Sequence, residues 1–182
     1  MKKLAIVAAL LCSSAAAQAR GVNAKFMMDF LPGVSIPIAD VGWRASADPS
    51  FKFSVRTGAE LWFSRGFAFA GEIDLDLQPQ MLDNGNVAGR VRALAGFRLV
   101  FGFGVGAVFL RHAIGADYIT DAVPRLNRLT GEVGLAVEPG IGLQFKFARR
   151  GVAGFVMDFP TTFSGGTFAM DVQLLGLIGF RI

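Results

Sequence analysis

From Phe51 to Phe63 the chain reads FKFSVRTGAELWF, and it alternates. Phe51, Phe53, Val55, Thr57, Ala59, Leu61 and Phe63 fall on one side, and Lys52, Ser54, Arg56, Gly58, Glu60 and Trp62 on the other. Side chains that change sides at every residue belong to a β-strand. More than half of the sequence is hydrophobic, yet charges recur every few positions. Beyond residue 19 nothing approaches the roughly 20 consecutive apolar residues of a spanning helix. The oily face therefore meets either a dry protein core or, in a membrane barrel, acyl chains.

The alternation marks eight candidate strands. The first runs near Asn23 to Ile38 and the second is the stretch above. The third sets Phe67, Phe69, Ile73, Leu75 and Leu77 against Glu72, Asp74, Asp76 and Gln78. The fourth, Val87 to Phe101, sets Val91, Phe97, Leu99 and Phe101 against Arg90, Arg92 and Arg98. The sixth sets Val133, Leu135, Val137, Ile141, Leu143, Phe145 and Phe147 against Glu132, Glu138, Gln144 and Lys146. The seventh and eighth lie near Val152 to Phe163 and Thr167 to Ile182. The fifth, Val105 to Gly115, breaks the rule: Val105, Ala107 and Phe109 suit an outward face, but Arg111 follows in the same phase. A bulge that flips the phase, or a headgroup position for Arg111, would each accommodate it.

Three short connections, Ser64-Arg65-Gly66, Gly102-Phe103-Gly104 and Arg149-Arg150-Gly151, keep the oily phase as three-residue loops. Each would end in a glycine (Gly66, Gly104, Gly151) able to take the left-handed conformation of such a turn. The other connections, ADVGWRASADPS, PQMLDNGN, ADYITDAVPRLNR and PTTFSGGT, are longer and more polar. Tight turns on one rim and long loops on the other are the pattern of an outer-membrane barrel, with the tight turns periplasmic.

Pairing Phe63 with Phe67 sets Arg56 opposite Asp74 and Glu60 opposite Ala70. A shift of two residues would set Glu60 against Glu72, which like charges disfavour. The polar phase carries cations (Lys25, Lys52, Arg56, Arg90, Arg92, Arg98, Lys146, Arg181) and carboxylates (Asp29, Glu60, Glu72, Asp74, Asp76, Glu132, Glu138, Asp158, Asp171) in near balance. Such a set can neutralise itself in a closed lumen. The oily phase, with most of the eighteen phenylalanines, is too bulky for the interior of an eight-stranded barrel. The sequence thus predicts an all-β, eight-stranded antiparallel up-and-down transmembrane barrel, in preference to a soluble barrel or sandwich with the faces reversed. Trp43, Trp62 and Tyr118 fall near the expected rims, where interfacial aromatics sit.

Residues 1–19, MKKLAIVAALLCSSAAAQA, have the basic start, apolar run and small-residue end of a cleaved secretory signal. Residues 20–182 then form one domain. Cys12, the only cysteine, falls in the signal, so neither disulfides nor thiolate metal sites are expected. Removing Lys2 and Lys3 also lowers the formal charge of +4, and an exported chain meets no nucleic acid.

At the level of the hairpin pattern, the signal and the last strand VQLLGLIGFRI, the mature chain resembles the small eight-stranded outer-membrane β-barrels of Gram-negative bacteria, of the outer membrane protein A and X type. Members commonly end in phenylalanine; here Phe180 stands third from the end and Ile182 is terminal. The resemblance implies an outer-membrane location, contact with outer-membrane lipids, passage through the barrel-assembly machinery, and no catalytic motif.

Some related barrels modify lipids with a histidine base beside a serine. The sole histidine is His112, and the position two residues on is Ile114, so His112 is expected to be a lumenal or rim residue. Lys52, Arg56, Glu60, Glu72, Asp74, Asp76, Arg90, Arg92, Glu132 and Glu138 are expected to form a lumenal ion-pair network, with no cofactor and no metal. The expected protein is a monomeric, non-enzymatic barrel with a salt-bridged, closed lumen, acting as a structural or surface-interaction protein. A narrow pore for small solutes and, less favoured, an outer-leaflet lipid-modifying enzyme are the alternatives.

Overall fold

The structure, a computed structural model, describes residues 22–41, 49–81, 87–123, 128–164 and 167–182, with only the backbone course at 40–41, 80–81, 87–88, 119–123, 128–132 and 167. The expected signal, residues 1–19, and Trp43 lie outside the described residues. Nine strands follow in chain order: β1 (Asn23–Val41), β2 (Ser50–Ser64), β3 (Phe67–Met81), β4 (Val87–Phe103), β5 (Gly106–Val123), β6 (Arg128–Lys146), β7 (Gly151–Asp158), β8 (Thr161–Ser164) and β9 (Thr167–Arg181). Each pairs antiparallel with its neighbours, and β9 returns to β1. The sheet closes on itself, so among the described strands no free edge is left, as a lipid environment demands.

β7 and β8 are two lengths of one barrel strand, both lying between β6 and β9. They are separated at Phe159-Pro160, because proline cannot donate to the ladder. The barrel stays sealed there: the Phe159 amide donates to Pro139 O at 2.9 Å and the Asp171 amide to Pro160 O at 3.0 Å. The barrel is therefore eight-stranded and up-and-down.

Alternate residues part between lumen and exterior. On β2, Lys52, Ser54, Arg56 and Glu60 are buried, whereas Phe51 and Phe63 are 56% and 59% exposed. On β3, Glu72, Asp74, Asp76 and Gln78 are buried while Ile73, Leu75 and Leu77 are exposed. The β2–β3 register sets Arg56 opposite Asp74 and Glu60 opposite Ala70, as the pairing of opposite charges requires. Phenylalanines ladder across the outer face, Phe69 stacking on Phe97 at 6.0 Å and Phe67 meeting Phe101 at 5.7 Å between ring centres.

β5 follows neither expected route: its ladders with β4 and β6 run without a bulge and Arg111 is buried in the lumen, so the whole strand stands in the opposite phase. The β4–β5 turn consists of two residues, Gly104 and Val105, with Phe103 opposite Gly106. The expected loop Gly102-Phe103-Gly104 is thus corrected: Gly102 and Phe103 belong to β4, and Gly104 is the first turn residue, with φ +47°. The displaced turn turns Phe109 and Arg111 into the lumen and Val108, Leu110 and Ile114 outward, the reverse of the phase read from Val105. Leu110 is 46% exposed, and Phe109 is wholly buried.

The other two turn glycines also differ from expectation. Among the described glycines only Gly104 has a positive φ. Gly66 occupies the β2–β3 turn after Arg65, and an irregularity between Trp62 and Ser64 absorbs the odd residue of that hairpin. Gly151 is not a loop residue but the first of β7; its carbonyl accepts from the Phe147 amide at 3.2 Å, and the Phe147 ring would lie 2.6 Å from an added Cβ. The connection there is residues 147–150. On the opposite rim β5 reaches Val123 rather than Gly115 and β1 reaches Val41 rather than Ile38, whereas β6 starts at Arg128 and β8 ends at Ser164, within a residue of the expected bounds.

Candidate functional site: the charged lumen

The buried ionic residues of the described lumen comprise seven cations, Lys52, Arg56, Arg90, Arg92, Arg98, Arg111 and Arg181, and nine carboxylates, Asp29, Glu60, Glu72, Asp74, Asp76, Asp117, Glu138, Asp158 and Asp171. Inward positions on every strand except β8 supply them, because the strands alternate. A buried ion is tolerated only when neighbours replace its lost hydration, and the pairing is correspondingly dense.

Arg56 and Arg111 form the centre. Arg56 Nε donates to Asp74 Oδ2 at 2.7 Å, and its Nη2 pairs with Asp158 on β7. Arg111 donates from Nε to Glu72 Oε1 at 2.8 Å and from Nη2 to Asp74 Oδ2 at 2.9 Å, and Nη1 reaches Glu138. The planar fork of arginine suits such multiple carboxylate contacts. Gly140 leaves the space: a Cβ there would lie 2.0 Å from Asp158 Oδ1 and 3.0 Å from Arg111 Cγ.

Toward the long-loop rim, Lys52 Nζ lies 2.6 Å from Asp76 and also bonds Gln173. Arg90 donates to Asp117 at 2.7 Å, to Asp171 at 2.7 Å and to Thr162 at 2.8 Å. Arg92 shares both carboxylates, each at 3.0 Å. Toward the tight-turn rim, Arg98 bridges Asp29 at 3.0 Å and Glu72 at 2.7 Å, while Arg181 bridges Asp29 and Glu60 and donates to Gln144 at 2.8 Å.

The remaining bore is filled by apolar side chains. Leu31, Val100, Phe109, Val152, Val156, Leu175 and Leu177 form a buried cluster with Trp62 packed against it. The Arg98 guanidinium lies 4.3 Å from the Phe109 ring centre. Trp62 is therefore a lumenal residue rather than an interfacial anchor; its Nε1 donates to Glu60 Oε2 at 3.2 Å.

Of the ten residues singled out from sequence, nine lie in this network, and the side chain of Glu132 lies outside the described residues. Sequence reasoning missed Arg111, whose phase was ambiguous, and Asp117, assigned to a loop. Continuing the alternation Arg111, Ala113, Gly115, Asp117 would have found the second. His112 is neither lumenal nor at the mouth: it faces outward beside Phe97, ring centres 6.1 Å apart, because the flip of β5 carries it to the lipid side. Asp74, Asp76 and Glu138 bring ligand oxygens within 4.8 Å of one another. Lys52, Arg56 and Arg111 pair with the same three carboxylates, which is the arrangement of an ion-pair cluster.

No family model matches the sequence, and no curated protein matches it. The fold is similar to that of solved outer-membrane proteins. Neisserial surface protein A superposes with a TM-score of 0.63 at 9% identity, covering 89% of this chain and 99% of that one. The attachment invasion locus protein Ail of Yersinia pestis, solved in complex with the heparin analogue sucrose octasulfate, superposes with a TM-score of 0.57 at 11% identity, covering 87% and 97%. The chain has the fold of the small eight-stranded outer-membrane barrels. Its closed ladder and apolar exterior are what a barrel embedded in lipid requires.

Proposed function

We propose that the protein is a monomeric, non-conducting outer-membrane barrel that acts as a structural or surface-interaction element. The observation that carries this reading is the filled bore. Arg90 on β4 pairs with Asp171 on β9, Arg56 on β2 with Asp158 on β7, and the Phe109–Trp62 cluster fills space nearer the tight turns. Ions would have to break several buried pairs to pass, each break leaving an uncompensated charge. A role at the surface accords with the neighbours' names, a surface protein and an attachment protein bound to a heparin analogue. The proposed partners are outer-membrane lipids along the phenylalanine-rich exterior and the barrel-assembly machinery during biogenesis.

The non-enzymatic reading rests on His112, which stands against Phe97 on the exterior with Ile114 two residues on. A general base needs its nucleophile within hydrogen-bond reach. Single-channel recording in planar bilayers tests the reading: a silent bilayer is expected, and steady openings would favour the narrow pore.

A further inference from the structure

We infer that the mouth of the barrel at the tight-turn rim binds a compact multivalent oxyanion of the polyphosphate class, taken from the aqueous side. Within the described lumen each buried cation has a carboxylate, from Lys52 with Asp76 to Arg181 with Glu60. At the mouth this rule fails. Lys25, Arg65, Lys146, Arg149 and Arg150 gather there, and none has a carboxylate partner among the described residues. Glu60, which lines the same space, is already held by Arg181 and by the Trp62 indole.

The cations border a real space. Two adjoining cavities of about 460 and 340 Å³ share Asn23, Lys25, Trp62 and Lys146, a size within the ~300–1,000 Å³ of small-ligand sites. Trp62 forms the floor, and Lys25 and Lys146 reach it from β1 and β6, their ammonium groups 5.5 and 6.0 Å from its ring. These contacts hold two cations over the cavity without neutralising them. Arg65 contributes from the β2–β3 turn, and Arg149 and Arg150 from the β6–β7 loop.

Like charges gathered without a counter-charge repel one another and attract a concentrated anion. Arginine forks and lysine point charges together suit phosphate oxygens, and five cations call for more than one phosphate. The first cavity reaches the rim at Phe63, whereas the second runs inside the ring of turns against Glu60, Gln144 and Arg181, with exposed Phe103 and Phe147 on the outer face at this level. The inner part of the site thus faces water and not the neighbouring headgroups.

Titration of inorganic tripolyphosphate into the barrel in phosphatidylcholine nanodiscs at low salt, followed by calorimetry, tests the inference. Saturable binding of one anion per barrel is expected, weakening as salt rises. The Lys25→Gln/Lys146→Gln variant should bind at least tenfold more weakly, and Arg149→Gln/Arg150→Gln should also weaken binding, while both keep the heat-dependent gel mobility of a folded barrel. Absence of saturable binding, or equal affinity in the Lys25/Lys146 variant, would overturn it. So would a barrel that ignores tripolyphosphate but retains phosphatidylglycerol through the same lysines, which would assign these cations to lipid headgroups.

Discussion

Arg90 on β4 and Asp171 on β9 stand on opposite walls of the barrel, yet their side chains meet at 2.7 Å. A single arginine and a single aspartate thus span the bore near the long-loop rim, and Arg92 binds the same aspartate at 3.0 Å. Buried pairs of this kind add little net stability, because desolvation offsets most of their attraction. Their consequence is specificity: a strand slipped by one residue would carry its charges into lipid.

Arg111 contacts four carboxylates, Glu72, Asp74, Glu138 and Asp158. Arg111→Gln leaves them under-neutralised and should cost about 3–5 kcal/mol, read from urea unfolding in detergent or bilayers. Adding Glu138→Gln should recover part of that loss. A loss under about 1 kcal/mol, the scale of exposed pairs, would mean that water reaches the cluster.

The phase of β5 is testable in the same assay. Leu110→Arg places a charge on the lipid face and should destabilise the barrel by about 2–4 kcal/mol near the bilayer centre. Phe109→Ala, one residue away, should cost about 3–5 kcal/mol by opening a cavity in the lumenal cluster. Tolerance of Leu110→Arg would restore the opposite phase.

Gly104→Ala should destabilise the β4–β5 hairpin by about 1–2 kcal/mol, the cost of a left-handed conformation with a Cβ. Gly66→Ala should be near neutral, since its added Cβ has only Gly102 O at 3.8 Å nearby and its φ is not positive. Equal effects at both sites would contradict the turn assignment.

Gly140→Ala should disturb the centre of the network, because the new methyl overlaps Asp158 and crowds Arg111. Overpacking of this kind costs about 1–3 kcal/mol. The unfolding midpoint should fall, and Asp158→Ala in the same chain should relieve the clash while losing the Arg56 pair.

The barrel architecture was legible because alternation is local. Phe51 to Phe63 states its two faces without reference to any other strand, and the opposition of Arg56 and Asp74 fixes one register. Turn geometry was less legible. A glycine near a hairpin reads equally as a turn residue, as with Gly104, or as a strand residue cleared for an aromatic ring, as with Gly151. One misplaced turn residue reversed the reading of β5 and with it Phe109, Arg111 and His112. Side-chain partners across the bore, such as Arg56 with Asp158, depend on closure of the sheet and have no signature in neighbouring sequence.

The chain beyond Cys12 carries no cysteine, so single cysteines along β3 can carry nitroxide labels one at a time. Collision rates with lipid-soluble oxygen in a bilayer should be high at positions 69, 71, 73, 75 and 77 and low at 68 and 70. The reverse alternation would place the phenylalanines in the interior and the charges outside, and would contradict the lipid-facing, ion-filled barrel.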